Sequence, residues 1–226
     1  MSQGDAVSLG VFGGTFNPIH LGHLRAAEQV VELLGLERLL FVPSGAPPHK
    51  GSAALAPAEL RLEWVEQSIR GNERFAVDAL EVERAGPSFT VDTLREIGAR
   101  IAPARPVFVI GCDALREIAT WRKPEDVLAL AHVAVMARPE TRAGHAADLR
   151  RVVPGALATA YDFESDGESG THRESQAWIR WLPIEPLDIS ATDIRARLSG
   201  GRSIRYLVPE TILDSVSSCW TEAIAP

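Results

Sequence analysis

The sequence predicts an α/β protein: a doubly wound parallel sheet with helices on both faces, forming a single domain with a small C-terminal helical part. Three observations predict it. Short apolar runs rich in β-branched residues alternate with stretches of helical spacing. The runs are apolar almost throughout, as strands buried on both faces are. A Gly-Gly turn directly follows the first run, and a doubly wound sheet binds ligands just beyond the carboxyl ends of its strands.

Taken in order, Val7 to Phe12 is a strand ending at Gly13-Gly14, and Leu24, Ala27, Val30, Val31 and Leu34 share one face of a helix from Gly22 to Leu34. Leu39 to Val42 is a second strand, stopped by Pro43, and Ala58 to Ile69 has helical spacing through Leu62, Val65 and Ile69. Ser88 to Leu94 opens another helix. Val107–Ile110 and Val133–Met136 are strands, separated by helical segments at Ala114–Ile118 and Pro124–Leu130. Residues 161–176, YDFESDGESGTHRESQ, combine acids, Gly and Ser with almost no apolar side chains and read as a mobile acidic surface loop. A strand at Trp181–Ile184 follows, then helices at Thr192–Leu198 and Glu210–Ala223. The expected organisation is a domain over residues 7–209, with 210–226 as a C-terminal helix and tail packed on it.

The 226 residues fit one domain, at roughly 100–200 residues per domain, and 46% hydrophobic with 23% charged residues excludes a collagenous or wholly disordered chain. Against 30 Asp and Glu stand 23 Lys and Arg, a net charge of −7. That balance argues against partners bound through bulk positive charge, so neither nucleic acid nor membrane is expected. An anionic ligand must instead meet a local cluster of positive groups. Met1–Asp5 has no cationic n-region, and the longest later apolar stretch, Val127 to Ala137, falls short of the roughly 20 residues of a membrane span, so the expected location is cytoplasmic. Cys112 and Cys219 lack CxxC spacing and read as reduced structural thiols, and Trp64, Trp178, Trp181 and Trp220 read as structural.

The most informative stretch is Gly13-Gly-Thr-Phe-Asn-Pro-Ile-His-Leu-Gly-His-Leu24, between the first strand and its helix. Gly13 and Gly14 permit close backbone approach by a phosphate, and the helix start adds N–H groups and partial positive charge. His20 and His23, three apart, point in a similar direction and can both donate to phosphate oxygens. Neither a GxGxxG pattern nor Gly-Lys-Ser/Thr is present. The string resembles the GGTFDPIHxGH signature of the bacterial nicotinate mononucleotide adenylyltransferases, members of the HxGH nucleotidyltransferase superfamily with its Rossmann-like sheet. Asn17 stands where many of that family have Asp.

Further along, Ile189-Ser-Ala-Thr-Asp-Ile-Arg195 resembles the ISxTxIR element of the same superfamily. Read alone, Ser190-x-x-Asp193 is a capping box, and a capped helix start is also an anion site to which Arg195 adds a fork of donors. Three more pieces resemble the same family: Val42-Pro-Ser-Gly-Ala-Pro-Pro-His-Lys50, Ser88-Phe-Thr-Val-Asp-Thr-Leu94, and Gly111-Cys-Asp-Ala-Leu115 with Trp121 after it.

The resemblance implies transfer of AMP from ATP to nicotinate mononucleotide, forming nicotinate adenine dinucleotide and pyrophosphate in NAD biosynthesis. It implies catalytic roles for His20, His23 and Arg195. ATP would also meet Gly13, Gly14, Thr15 and Phe16 in the turn, Gly111 and Asp113 after the Val107–Ile110 strand, Arg138, and Ser190 and Thr192 in the second element. The mononucleotide would meet Asn17, Lys50, Ser88, Thr90 and Trp121. Mg²⁺ would accompany ATP and be held mainly by substrate, since the sequence shows no carboxylate cluster of metal-ligand spacing. A homo-oligomer is compatible with this reading. The alternatives are an adenylyl- or cytidylyltransferase for another phosphate, such as phosphopantetheine, and a nucleotide-sensing module without turnover.

Overall fold

The computed structural model describes residues 9–47, 55–136 and 148–221. From the first strand, β1 (Leu9–Gly14), the chain runs through α1 (Leu21–Leu34), β2 (Arg38–Pro43), α2 (Ala58–Ile69), β3 (Phe75–Val77) and α3 (Leu80–Glu83). It continues through α4 (Thr90–Ile101), β4 (Val107–Gly111), α5 (Cys112–Arg116), α6 (Pro124–Leu130) and β5 (His132–Met136). After α7 (Leu149–Val152) and α8 (Gly155–Ala158) come β6 (Tyr161–Phe163), β7 (Ser169–His172), β8 (Trp178–Leu182), α9 (Ala191–Ser199) and α10 (Leu213–Thr221).

One sheet of eight strands holds the order β3-β2-β1-β4-β5-β8-β7-β6. The six strands from β3 to β8 are parallel, whereas β7 and β6 run antiparallel to their neighbours. Side-chain alternation distributes the core over both faces. Phe12, Val107, Val109 and Ala134 face one cluster, with Ala27, Val30 and Val31 of α1 and Trp64 and Val65 of α2. Val11, Phe108, Ile110, Val133 and Val135 face the other, with Leu94 and Ile97 of α4 and Val127 and Leu128 of α6. The C-terminal part packs into the first cluster through Ile212 and Val216, and Trp64 Nε1 donates to Ser215 Oγ at 2.9 Å.

The sequence expectations need three changes. The strand expected at Trp181–Ile184 lies at Trp178–Leu182, because Pro183 has no N–H to continue the ladder. The first turn of the helix expected from Glu210 is a separate 3-10 turn, Glu210–Ile212. The largest change concerns residues 161–176, which form the hairpin of β6 and β7 and extend the sheet rather than an irregular loop. Its acids point outward while Tyr161, Gly170 and His172 are buried, and Tyr161 packs on Phe163 and edge-on to His172. Tyr161 also donates its hydroxyl to the Leu128 carbonyl at 3.3 Å. Strands of three and four residues, with one and two buried positions, are too short for their alternation to be read from sequence.

The hairpin therefore belongs to the folded unit. Tyr161→Ala is expected to cost about 3 kcal/mol, the scale of truncating a buried aromatic, and replacing residues 162–175 by a Gly-Ser linker should lower the urea midpoint as well. Unchanged midpoints in both would show that the hairpin contributes nothing to the cooperative unit.

Candidate active site

In the strand order, the direction of winding reverses between β1 and β4, and ligands of doubly wound sheets bind at such a reversal. A cavity of about 360 Å³ lies there. Its floor is the end of β1 with Gly13, Gly14 and Thr15, and the end of β4 with Phe108 to Gly111. Its walls come from the start of α4 (Ser88, Phe89, Thr90, Thr93), from Trp121 with Arg122, and from Ser44 and Pro47 after β2. The indole of Trp121 stands edge-on to Phe108, with ring centres 6.3 Å apart, and the Arg122 guanidinium lies 4.7 Å from the centre of the Phe89 ring. A flat apolar slot with a cation at its lip suits an aromatic ring bearing negative charge.

Ser88, expected at the mononucleotide, does not cap α4. Its Oγ accepts from the amides of Gly45 at 3.0 Å and Ala46 at 3.2 Å, tying the loop after β2 to the cavity wall. Glu81 also lines the cavity; burial pushes its carboxyl above the usual carboxylate range, opposed by hydrogen bonds from Thr93 and Ser88. Gly45 admits this crowding, since a Cβ there would come within 2.1 Å of the Glu81 carbonyl oxygen.

A second group of residues gathers on the other side of the Gly-Gly turn. His20 precedes α1 and its ring stacks on that of His23, with centres 3.7 Å apart. Gly22 makes room for this: a Cβ there would sit 3.0 Å from His20 Nδ1 and 3.5 Å from the Ile189 carbonyl. The second contact shows that the Ile189–Arg195 element abuts the start of α1. His23 Nδ1 accepts from the His20 amide at 3.3 Å, which assigns its proton to Nε2. The ring of His23 is braced edge-on by Phe12 and Phe16. Phe16 holds a left-handed φ of 47°, strained for a bulky residue, under a Gly14 whose Cβ would be 2.9 Å from its ring.

His20 is buried, its Nδ1 has no hydrogen-bond partner among the described residues, and burial lowers its pKa to about 4. At neutral pH the imidazole is therefore uncharged and serves as a polar hydrogen-bonding group. On the facing helix, Ser190 Oγ caps α9 by accepting from the Asp193 amide at 3.0 Å. Arg195 donates to the Asn17 carbonyl at 2.7 Å and to Thr192 Oγ1 at 3.3 Å, and burial lowers its pKa.

The structure thus gathers Gly13, Gly14, Thr15, Gly111, Ser88, Thr90 and Trp121 around one cavity, and His20, His23, Ser190, Thr192 and Arg195 beside it. It separates two others from that cavity. Asn17 is buried with its Oδ1 accepting from the Ala56 amide at 3.0 Å, so it shapes the turn. Asp113 stands half-exposed in α5, 3.7 Å from Arg116. The start of α1 is also less open than expected, because the Leu21 amide donates to the Leu207 carbonyl at 2.9 Å. Lys50 and Arg138 lie outside the described residues. Sequence reasoning missed Phe89, Thr93, Arg122 and Glu81. The first two lie inside the Ser88–Leu94 string and the third follows Trp121, whereas Glu81 had no signal.

Among the described residues no group of three or more His, Cys, Asp or Glu could hold a metal ion, and no helix is long and apolar enough to cross a membrane.

The site lies at the reversal of a Rossmann-like sheet, and the model of the cytidylyltransferase-like family, a class of nucleotidyltransferases, matches residues 11–197. Two curated relatives named "Probable nicotinate-nucleotide adenylyltransferase" are similar over almost their whole length. The one from Pseudomonas putida is 39% identical over 94% of each chain, and the one from Geobacter sulfurreducens is 38% identical over 90% of this chain and 92% of that protein. The fold is shared with the Plasmodium falciparum nicotinic acid mononucleotide adenylyltransferase complexed with NaAD (TM-score 0.68, 15% identity, 93% of this chain and 95% of that one). The chain belongs to the nicotinate-nucleotide adenylyltransferase branch of the cytidylyltransferase-like family.

The lowered pKa of His20 has a thermodynamic consequence. The folded protein keeps His20 neutral while the unfolded chain protonates it near 6.5, so unfolding takes up a proton between these values. Stability from this group is complete above pH 6.5 and is lost as the pH falls towards 4, with a slope of at most about 1.4 kcal/mol per pH unit. Urea unfolding between pH 4 and 7 should show a steeper decline in wild type than in His20→Asn. Parallel curves would rule the shift out.

Proposed function

We propose that the protein transfers AMP from ATP to the 5′-phosphate of nicotinate mononucleotide, yielding nicotinate adenine dinucleotide and pyrophosphate as a cytoplasmic step of NAD biosynthesis. The observation that carries this reading is the juxtaposition of the Trp121 slot and the His20–His23 pair on two sides of one Gly-Gly turn. One side suits a pyridine ring and the other a chain of phosphates.

The acceptor phosphate is ionised at neutral pH, so its oxygen attacks the α-phosphorus directly. As that bond forms, the bond from the α-phosphorus to the bridging oxygen breaks, and pyrophosphate leaves with the electron pair. No protein nucleophile and no general base are needed; alignment and stabilisation of developing charge do the work. In this reading Gly13, Gly14, Thr15 and Phe16 cradle the triphosphate, and His20 and His23 donate to its oxygens. Arg195, Ser190 and Thr192 steady the departing pyrophosphate. Ser88 and Thr90 orient the mononucleotide while Trp121 stacks on its ring, and Arg122 adds a charge that favours nicotinate over nicotinamide. Mg²⁺ enters this reading as part of the substrate Mg-ATP, held mainly by the phosphates.

Pyrophosphate release measured with a panel of acceptors tests the proposal. Nicotinate mononucleotide should exceed the nicotinamide form in kcat/KM; equal values, or preference for phosphopantetheine, would refute the acceptor assignment, and nucleotide binding without turnover would indicate a sensing module. His20→Ala and His23→Ala should each lower kcat by about 10²-fold in folded protein, the scale of losing a transition-state donor. Trp121→Ala should weaken both mononucleotides together, because stacking serves either ring.

A further inference from the structure

Arg61 is completely buried in α2, and it makes no contact with the substrates in the reading above. Its Nε donates to the Ala56 carbonyl at 3.0 Å, Nη1 to the Thr15 carbonyl at 2.7 Å and Nη2 to the Gly45 carbonyl at 3.0 Å. Among the described residues the acid whose charge reaches it is Glu59, and no carboxylate pairs with it directly. A guanidinium keeps its charge even when buried, and its planar fork can hold several acceptors in fixed relative directions.

Those acceptors come from both halves of the site. Thr15 lies in the turn between the cavity and the His20–His23 pair, whereas Gly45 lies in the loop whose amides are held by Ser88 in the cavity wall. Ala56 extends the same web: its amide donates to Asn17 Oδ1, and the Asn17 carbonyl is held by Arg195. In a trans peptide the carbonyl of one residue and the N–H of the next point in opposite directions. A guanidinium that draws the Thr15 and Gly45 carbonyls towards itself therefore turns the Phe16 and Ala46 amides away from it. For Ala46 that direction leads to Ser88 Oγ.

We propose that Arg61 is a positioning residue for the transfer step: it locks the phosphate-side turn and the mononucleotide-side loop to each other, and so sets the relative placement of the two substrates. The proposal rests on the two-substrate reading above. Loss of the fork should leave each substrate able to bind but misplace one against the other, and a misplacement of about 1 Å can cost about 10²-fold in rate.

The test compares wild type, Arg61→Lys and Arg61→Gln by pyrophosphate release and by calorimetric titration of ATP and of nicotinate mononucleotide separately. Lysine keeps the charge without the fork, and glutamine keeps part of the hydrogen bonding without the charge. The expected result for each folded variant is a kcat at least about thirtyfold lower, with both Kd values within about threefold of wild type and unchanged binding stoichiometry. A kcat within about threefold of wild type overturns the proposal. So does a stoichiometry that falls in step with the rate, or failure of both variants to fold, because Arg61 would then serve the fold alone. Wild-type protein silent with nicotinate mononucleotide would instead refute the acceptor assignment, and Arg61 is then judged on the acceptor that the wild type does use.

Discussion

The reversal of winding at β1 is the constraint on which the site depends. Helices α1 and α2 pack on the face that carries Phe12 and Phe41, and α4 packs on the face that carries Val11, Phe108 and Ile110. Crossovers that leave a central strand on opposite faces cannot also close over its end, so the carboxyl ends of β1 and β4 remain uncovered. The Gly-Gly turn, the start of α4 and the Trp121 segment are each one connection away from that opening. Burial of the strands on both faces fixes their register, and the register fixes where these connections emerge.

Within this frame, the proposed phosphate side of the site belongs to an acidic protein without a visible excess of lysine or arginine. Several surface arginines are matched by acids, as in Arg197 with Asp193, Arg205 with Glu210 and Arg116 with Asp113. Arg195 and Arg61 differ, for both donate to backbone carbonyls instead of carboxylates. Their charge is left for the turn they support, where the low dielectric makes it felt. His20, neutral through burial, complements them as a polar group that costs little to keep dry.

Much of this was legible in the sequence, for reasons that can be stated residue by residue. Helices Ala58–Ile69 and Pro124–Leu130 follow their apolar spacing to the residue, and the ends of β1 and β2 fall at Gly14 and Pro43, where the sequence punctuates them. The motif strings fall on both sides of the Gly-Gly turn because consecutive residues in a turn share one neighbourhood. Side chains that act from a distance left weaker marks. The buried positions of α2 are Arg61, Trp64, Val65 and Ile69, so Arg61 occupies a position on the apolar stripe, and a cation at such a position is itself a signal. Leu62, chosen for its character, is only half-buried. Asn17 sits in the motif and also shapes the turn, because its Oδ1 accepts from the Ala56 amide. Strand β3 leaves no apolar pattern in the sequence, because only Phe75 of its three residues is buried.

The two outermost strands of the sheet, β3 and β6, are also its shortest, at three residues each. An exposed strand edge is a template on which another chain can add its own backbone, and the hazard grows with the length of unpaired amides and carbonyls. Here six strands of the parallel core would end at β8, a five-residue strand rich in Trp, Ile and Leu, were the hairpin not laid against it. By substituting a short margin whose outward residue is Asp162 for a longer apolar one, the hairpin leaves less unpaired backbone on which another chain could add a strand.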